Sequence, residues 1–204
     1  MPLYNNNLLF IHIPKTAGSY LEKKLSKYET NSNNYGYDCK KEIYKQHYTY
    51  NNYLEKYGIK NMNNFKIFCV IRNPYDRLFS AYKQIFKKTS DKNLIIMMKS
   101  ENFRDFVLNK LEKLIKNSDK HKYKGNITHI LPQTNFIKNK NDNVKIIKYE
   151  NLENISDYLK LCDINESIKF SNTHSTYTTN YDESMKRKMQ EVYKNDFILY
   201  QNLE

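Results

Sequence analysis

Two cationic residues in this chain stand where an apolar run gives way to a helical pattern, and each has hydroxyls close behind it. In "FIHIPKTAGSYLEKKL", Phe10 to Leu25, Lys15 is followed by Thr16, Ala17, Gly18, Ser19 and Tyr20. In "VIRNPYDRLFSAY", Val70 to Tyr82, Arg72 precedes a helix that carries Ser80. A helix entered from a tight loop presents unpaired N–H groups and a positive dipole end, which suits a phosphate or a similar anion, and Lys15 adds a full charge there. A guanidinium fork with one hydroxyl can bracket a second phosphate. A third residue type completes a chemical set: histidine, neutral near pH 7, can take a proton from a hydroxyl. Five histidines are present. His12 alternates with apolar strand residues and reads as structural; His129 and His174 are lesser candidates for acceptor or donor contacts.

The elements that must hold these groups are legible in outline. Leu8 to Ile13 reads as a short strand stopped by Pro14, which has no amide donor. Leu21, Leu25 and Tyr28 then fall on one helical face. "HYTYNNYLEKYG" predicts a short helix ending near Tyr57 with Gly58 as its C′ residue. Phe65 to Ile71 is an apolar run of strand length, as expected for a strand buried on both faces. Asn73, Pro74 and Asp76 mark a helix start, with Leu78, Ala81, Tyr82 and Ile85 as its apolar face. Asn102 with Asp105 begins another helix, burying Phe103, Phe106, Val107, Leu111, Leu114 and Ile115. A third strand is expected over Val144 to Tyr149 and a helix around Ile155 to Cys162. The last helix should run from Asp182 to Asn195, capped by Asn180 with Glu183. Strands alternating with helices imply an α/β domain over residues 1–204, a mainly parallel sheet flanked by helices. Ligands of such sheets bind beyond the carboxyl ends of the strands, where Lys15 and Arg72 both lie.

Composition narrows the classes. With 34 Lys+Arg against 22 Asp+Glu the formal charge is +12, compatible with nucleic acid, an acidic membrane surface, or a polyanionic small molecule or glycan. Lys and Arg are scattered and no nucleic-acid module is present, so nucleic acid is not expected as a partner. The three cysteines, Cys39, Cys69 and Cys162, lie far apart without metal-ligand spacing, which argues against a zinc site or a disulfide scaffold. No metal is expected. Cys69 sits in an apolar strand and reads as core. No transmembrane run or signal peptide is evident, so a reducing, cytoplasmic setting is expected.

Taken together, "FIHIPKTAGS" and "VIRNPYDRLFSAY" resemble the 5′-phosphosulfate loop and the 3′-phosphate motif of sulfotransferases. The nearest likeness is to the carbohydrate sulfotransferases of the heparan sulfate 2-O-sulfotransferase group. The resemblance continues in weaker form, in family order, through "HYT" at His47, "LPQTNFI" at Leu131, "KYENL" at Lys148 and "YKNDFILY" at Tyr193. It implies a P-loop-like sulfotransferase fold and 3′-phosphoadenosine 5′-phosphosulfate as the donor. The acceptor it implies is a hydroxyl, above all of a glycan, with a tyrosyl peptide or small molecule as alternatives. It also implies roles. Lys15 would contact the 5′-phosphosulfate and act in catalysis, while the amides of Thr16, Ala17, Gly18, Ser19 and Tyr20, with the Thr16 and Ser19 hydroxyls, cradle that group. Arg72 and Ser80 would hold the 3′-phosphate, and His47 would be the base. The segment Ser171 to Tyr181, including His174 and Ser175, resembles a late loop that closes over the nucleotide. Golgi-resident members of that family carry a membrane anchor, and none is read in this chain.

Two other classes share parts of this pattern. A P-loop kinase or NTPase uses the same strand–loop–helix logic, but its GxxxxGK[ST] sequence is missing here: Lys15 precedes Gly18 by three positions. A non-catalytic nucleotide binder would keep Lys15 and Arg72 without a usable base.

Overall fold

In the computed structural model, which describes residues 3–30, 36–41, 43–88, 100–118, 127–169 and 180–203, the apolar runs of the sequence lie side by side. The strands are β1 (Leu3–Tyr4), β2 (Leu8–Ile11), β3 (Tyr37–Asp38), β4 (Ile43–Tyr44), β5 (Lys66–Ile71) and β6 (Val144–Lys148). The main sheet has the order β1-β2-β5-β6. β2, β5 and β6 are parallel, with Ile11 opposite Cys69 and Ile71 opposite Lys148, and only β1 pairs antiparallel. β3 and β4 form a separate small hairpin. The expected α/β architecture is present, with β1 and the hairpin as additions too short to leave a periodic signal in the sequence.

Side chains alternate across the sheet, so each strand feeds two cores. Leu9, Ile11, Ile67, Cys69, Ile71 and Val144 pack with Tyr50, Tyr53 and Met62 of α2 (Tyr50–Asn64). Leu8, Phe10, Phe68, Val70 and Ile147 face the other way, against Leu21 and Leu25 of α1 (Gly18–Leu25) and Ile155 and Leu159 of Ile155–Lys160. Burying each such side chain is worth roughly 1.5–3 kcal/mol. A third cluster joins Leu78, Ala81 and Ile85 of α3 (Pro74–Lys88) to Phe106, Val107, Leu111 and Leu114, and to Met185 and Met189 of the C-terminal region. Cys69 is buried, as its strand position implies, and burial pushes its thiol up to about 12.

Several boundaries differ from the sequence reading. β2 stops at Ile11, because Ile13 N–H turns back to the carbonyl of Ile11 at 3.1 Å ahead of Pro14. The second helix breaks where the sequence places its end, just after Tyr57. Gly58 leaves helical geometry (φ 76°, ψ 158°), as a C′ glycine does, and a further helical segment follows to Asn64, with Met62 fully buried. The start of the second helix is a capping box between Thr49 and Asn52. The segment from Asn102 is interrupted by a π turn, Phe106–Lys110, lying between α4 (Phe103–Asp105) and α5 (Leu111–Lys116). Ile155–Lys160 is α6. The last helix is capped by Asp182, whose side chain accepts from Met185 N–H, not by Asn180. It runs as α7 (Glu183–Val192), breaks at Tyr193 and continues as α8 (Lys194–Gln201). Among the described residues no helix is long and apolar enough to cross a membrane.

Candidate active site

Because β2 and β5 run parallel in register, the chain leaves both strands at one edge, bringing Pro14–Lys15 beside Arg72–Asn73. The loop after β2 is unusual backbone. Lys15 (φ 71°) and Ala17 (φ 68°) both take left-handed conformations, which cost an L-residue roughly 1–2 kcal/mol each. Strain of this kind persists where the surroundings over-determine it and clusters at functional sites. Thr16, fully buried, ties the loop by donating its hydroxyl to the Ile13 carbonyl at 2.8 Å. Gly18 and Ser19 supply the first N–H groups of α1, which have no acceptor within that helix; Ser19 is exposed. Tyr20, expected to lend its amide to the cradle, donates it instead to Ala17 O at 3.0 Å, while its hydroxyl donates to Lys169 O at 2.8 Å. The first helical turn consumes that amide. Lys15 Nζ donates to Gln84 Oε1 on α3, one turn beyond the half-buried Ser80.

Arg72 is 5% exposed. Its backbone N–H donates to Gln133 Oε1 at 2.9 Å, and its carbonyl accepts from Gln133 Nε2 at the same distance. The guanidinium lies 4.4 Å from the centroid of the Tyr149 ring, just past β6. Its Nε is buried without a hydrogen-bond partner. A buried, orphaned guanidinium nitrogen at a sheet's carboxyl edge is what an anion site needs, since leaving a charged donor unmet costs about 1–3 kcal/mol or more. Gln133 is held in turn by Asp196 of α8, fully buried, which accepts from Gln133 N at 2.7 Å, Thr134 N at 3.0 Å and Thr134 Oγ1 at 2.9 Å.

Three histidines meet beside the Lys15 loop. His12, read from the sequence as structural, follows Phe10 on the α1 side of the sheet and stacks on its ring. Its Nδ1 lies 2.8 Å from Glu22 Oε1, both groups buried. The ring leaves no room at Gly18, where a Cβ would sit 1.9 Å from His12 Cδ2. On the other side, the His12 carbonyl accepts from His47 Nδ1 at 3.1 Å. A carbonyl can only accept, so His47 carries its proton on Nδ1 and presents a lone pair at Nε2. That atom faces Gln46 Nε2 at 3.3 Å and His129 Nε2 at 3.4 Å. Burial, with His12, His129 and Lys15 nearby, holds the His47 imidazole well below its ordinary value, and burial with Lys15 and His12 pushes His129 down to about 4. Both are neutral at pH 7, the form a base requires.

One further group was not singled out in the sequence. Arg77, on α3 and 1% exposed, donates to the carbonyls of Pro14 at 3.4 Å, His129 at 3.3 Å and Leu131, joining the Lys15 loop to the His129 segment. Its signal was present but ambiguous, because an arginine one turn into a helix more often serves the surface. His174 and Ser175 lie outside the described residues. Among the described residues no group of three His, Cys, Asp or Glu side chains is placed to hold a metal ion.

The arrangement therefore offers a loop for one anion, a buried arginine for a second, and a neutral imidazole nearby. Residues 4–201 match a family model described as sulfotransferase family. No curated protein and no solved structure matches the chain.

Proposed function

Since this chain belongs to the sulfotransferase family, we propose that it uses 3′-phosphoadenosine 5′-phosphosulfate as donor and a carbohydrate hydroxyl as acceptor. The observation that carries the donor is Arg72, whose buried Nε has no partner and whose backbone is clamped on both sides by Gln133. That group fits a 3′-phosphate, with Ser80 on the following helix to add a neutral hydrogen bond. The strained Lys15–Ala17 loop and the first amides of α1 fit the 5′-phosphosulfate.

The donor supplies a sulfuryl group already bonded to a phosphate leaving group. In the transfer, the bond from sulfur to the bridging oxygen breaks, its electron pair stays on the phosphate, and sulfur bonds to the acceptor oxygen. Lys15 neutralises the charge that grows on the leaving oxygen, moving from Gln84 to do so. His47 Nε2 takes the acceptor's proton while Nδ1–H remains fixed on the His12 carbonyl. Positioning and charge stabilisation carry most of the acceleration, as in phosphoryl transfer.

For the acceptor, the β3–β4 hairpin supports a sugar. Tyr37 and Tyr44 are both more than two-fifths exposed, with ring centroids 5.3 Å apart. The hairpin is anchored just before His47, by Lys45 N–H donating to Gly36 O and by Tyr48 donating to Asp38. Exposed aromatic rings suit stacking on the apolar face of a sugar ring. Incubation with donor labelled in its sulfuryl group, against glycans, tyrosyl peptides and small alcohols, tests the reading. A labelled glycan is expected, and label found only on peptide or small alcohol would overturn the acceptor assignment.

A further inference from the structure

The facing nitrogens of His47 and His129 point to a base built from two imidazoles. We propose that the proton removed from the acceptor hydroxyl is held between His47 Nε2 and His129 Nε2, making His129 the second half of the base; this rests on the sulfuryl-transfer reading above.

The geometry carries it. The two Nε2 atoms are 3.4 Å apart, with ring centroids at 5.2 Å and planes at 85°. His47 cannot turn its other nitrogen to the task, because Nδ1–H is committed to His12 O. His129 is fixed from behind by Arg77, which binds its carbonyl. The charged and titratable groups facing the pair are His12 from the end of β2, Lys15 from the loop and Arg77 from α3. A proton placed on one buried imidazole beside Lys15 meets both repulsion and a desolvation penalty. Spreading it over an N–H···N bridge lowers both costs. The balance is simple. Two neutral imidazoles hold one proton each, both on Nδ1, so that two lone pairs face each other at Nε2; the acceptor supplies a third proton, and the loaded pair carries a single positive charge with that proton on the line between the nitrogens.

The test is a pH titration of the wild-type chain, labelled with nitrogen-15 in histidine and saturated with adenosine 3′,5′-bisphosphate. The His47 and His129 signals are expected to move together in a one-proton step. In His129→Gln the His47 step is expected to fall by about one pH unit. Independent titration of the two rings, or a rise of the His47 step in the variant, would overturn the pair, since removing a merely repulsive neighbour raises it. Single-turnover rates give a second readout. His47→Ala and His129→Ala are each expected to lose on the order of 10²-fold, and the double variant little more than the slower single one. Losses that multiply would mean two separate roles. Joint titration without turnover on any acceptor would support the pair and count against sulfuryl transfer; separate titration with normal turnover would do the reverse.

Discussion

Lys15 has a left-handed backbone and donates to Gln84 on α3, and in the proposed mechanism its charge meets the leaving oxygen. Lys15→Ala is expected to lower kcat on the order of 10²–10³-fold while changing the affinity for adenosine 3′,5′-bisphosphate far less, because its charge matters most as the leaving oxygen develops its own. Parallel single-turnover and binding measurements check this. The histidines make a separate prediction about stability. His47 and His129 are both held below the ordinary 6.5. From about pH 6.5 down to their folded values, the unfolded chain therefore binds more protons than the folded one. The stability they confer is present above about pH 6.5 and is lost as pH falls, by about 1.4 kcal/mol per pH unit for each. Urea unfolding between about pH 7 and about pH 5 should show a shallower loss in His129→Gln than in wild type. At this scale the candidate groups legible in the sequence are those that share one contiguous motif: Lys15 with its loop, Arg72 with Ser80. The sequence hid the His12–Glu22 pair, because alternation with apolar neighbours makes His12 look like core. It hid the three-histidine cluster as well, since His12, His47 and His129 meet only through the parallel crossover.

Among the elements, α1 and β2 are locked by one close approach, and α8 by one buried carboxylate. Gly18→Ala would drive a Cβ into the His12 ring, where 1.9 Å separates them, and is expected to abolish nucleotide binding by displacing the loop. Gly58→Ala meets nothing within 4 Å; only its positive φ resists, so a loss of about 1 kcal/mol with normal binding is expected. Calorimetry and unfolding of the two variants separate close packing from backbone freedom. Asp196→Ala would orphan three donors at once, on Gln133 and Thr134. A loss of about 3 kcal/mol or more in urea unfolding is expected, accompanied by weaker binding through Gln133 and Arg72. Strands and helix starts were legible because apolar runs and caps such as Asn73–Pro74 are local signals. The break at Gly58 was legible too, while the short helical segment after it, the π turn after Asp105 and the cap at Asp182 were not. Each depends on what the element packs against, as the buried Met62 illustrates for the segment after Gly58.

The whole molecule is a cation of +12 whose two anion-seeking groups, Lys15 and Arg72, emerge at one edge of a parallel sheet. In the proposed reading these two groups hold the 5′-phosphosulfate and the 3′-phosphate of one donor. Binding of such a ligand should weaken with salt, and less steeply in Arg72→Ala, because part of the attraction is long-range charge. The most direct measurement is calorimetry of adenosine 3′,5′-bisphosphate against AMP, on wild type and on Arg72→Ala. The bisphosphate is expected to bind at least about tenfold more tightly to wild type, the worth of one charge-assisted contact of about 1.5–3 kcal/mol. Arg72→Ala should erase that gap and leave AMP affinity unchanged. Equal affinity of the wild-type protein for the two nucleotides would contradict the assignment of Arg72 and, with it, the identity of the donor.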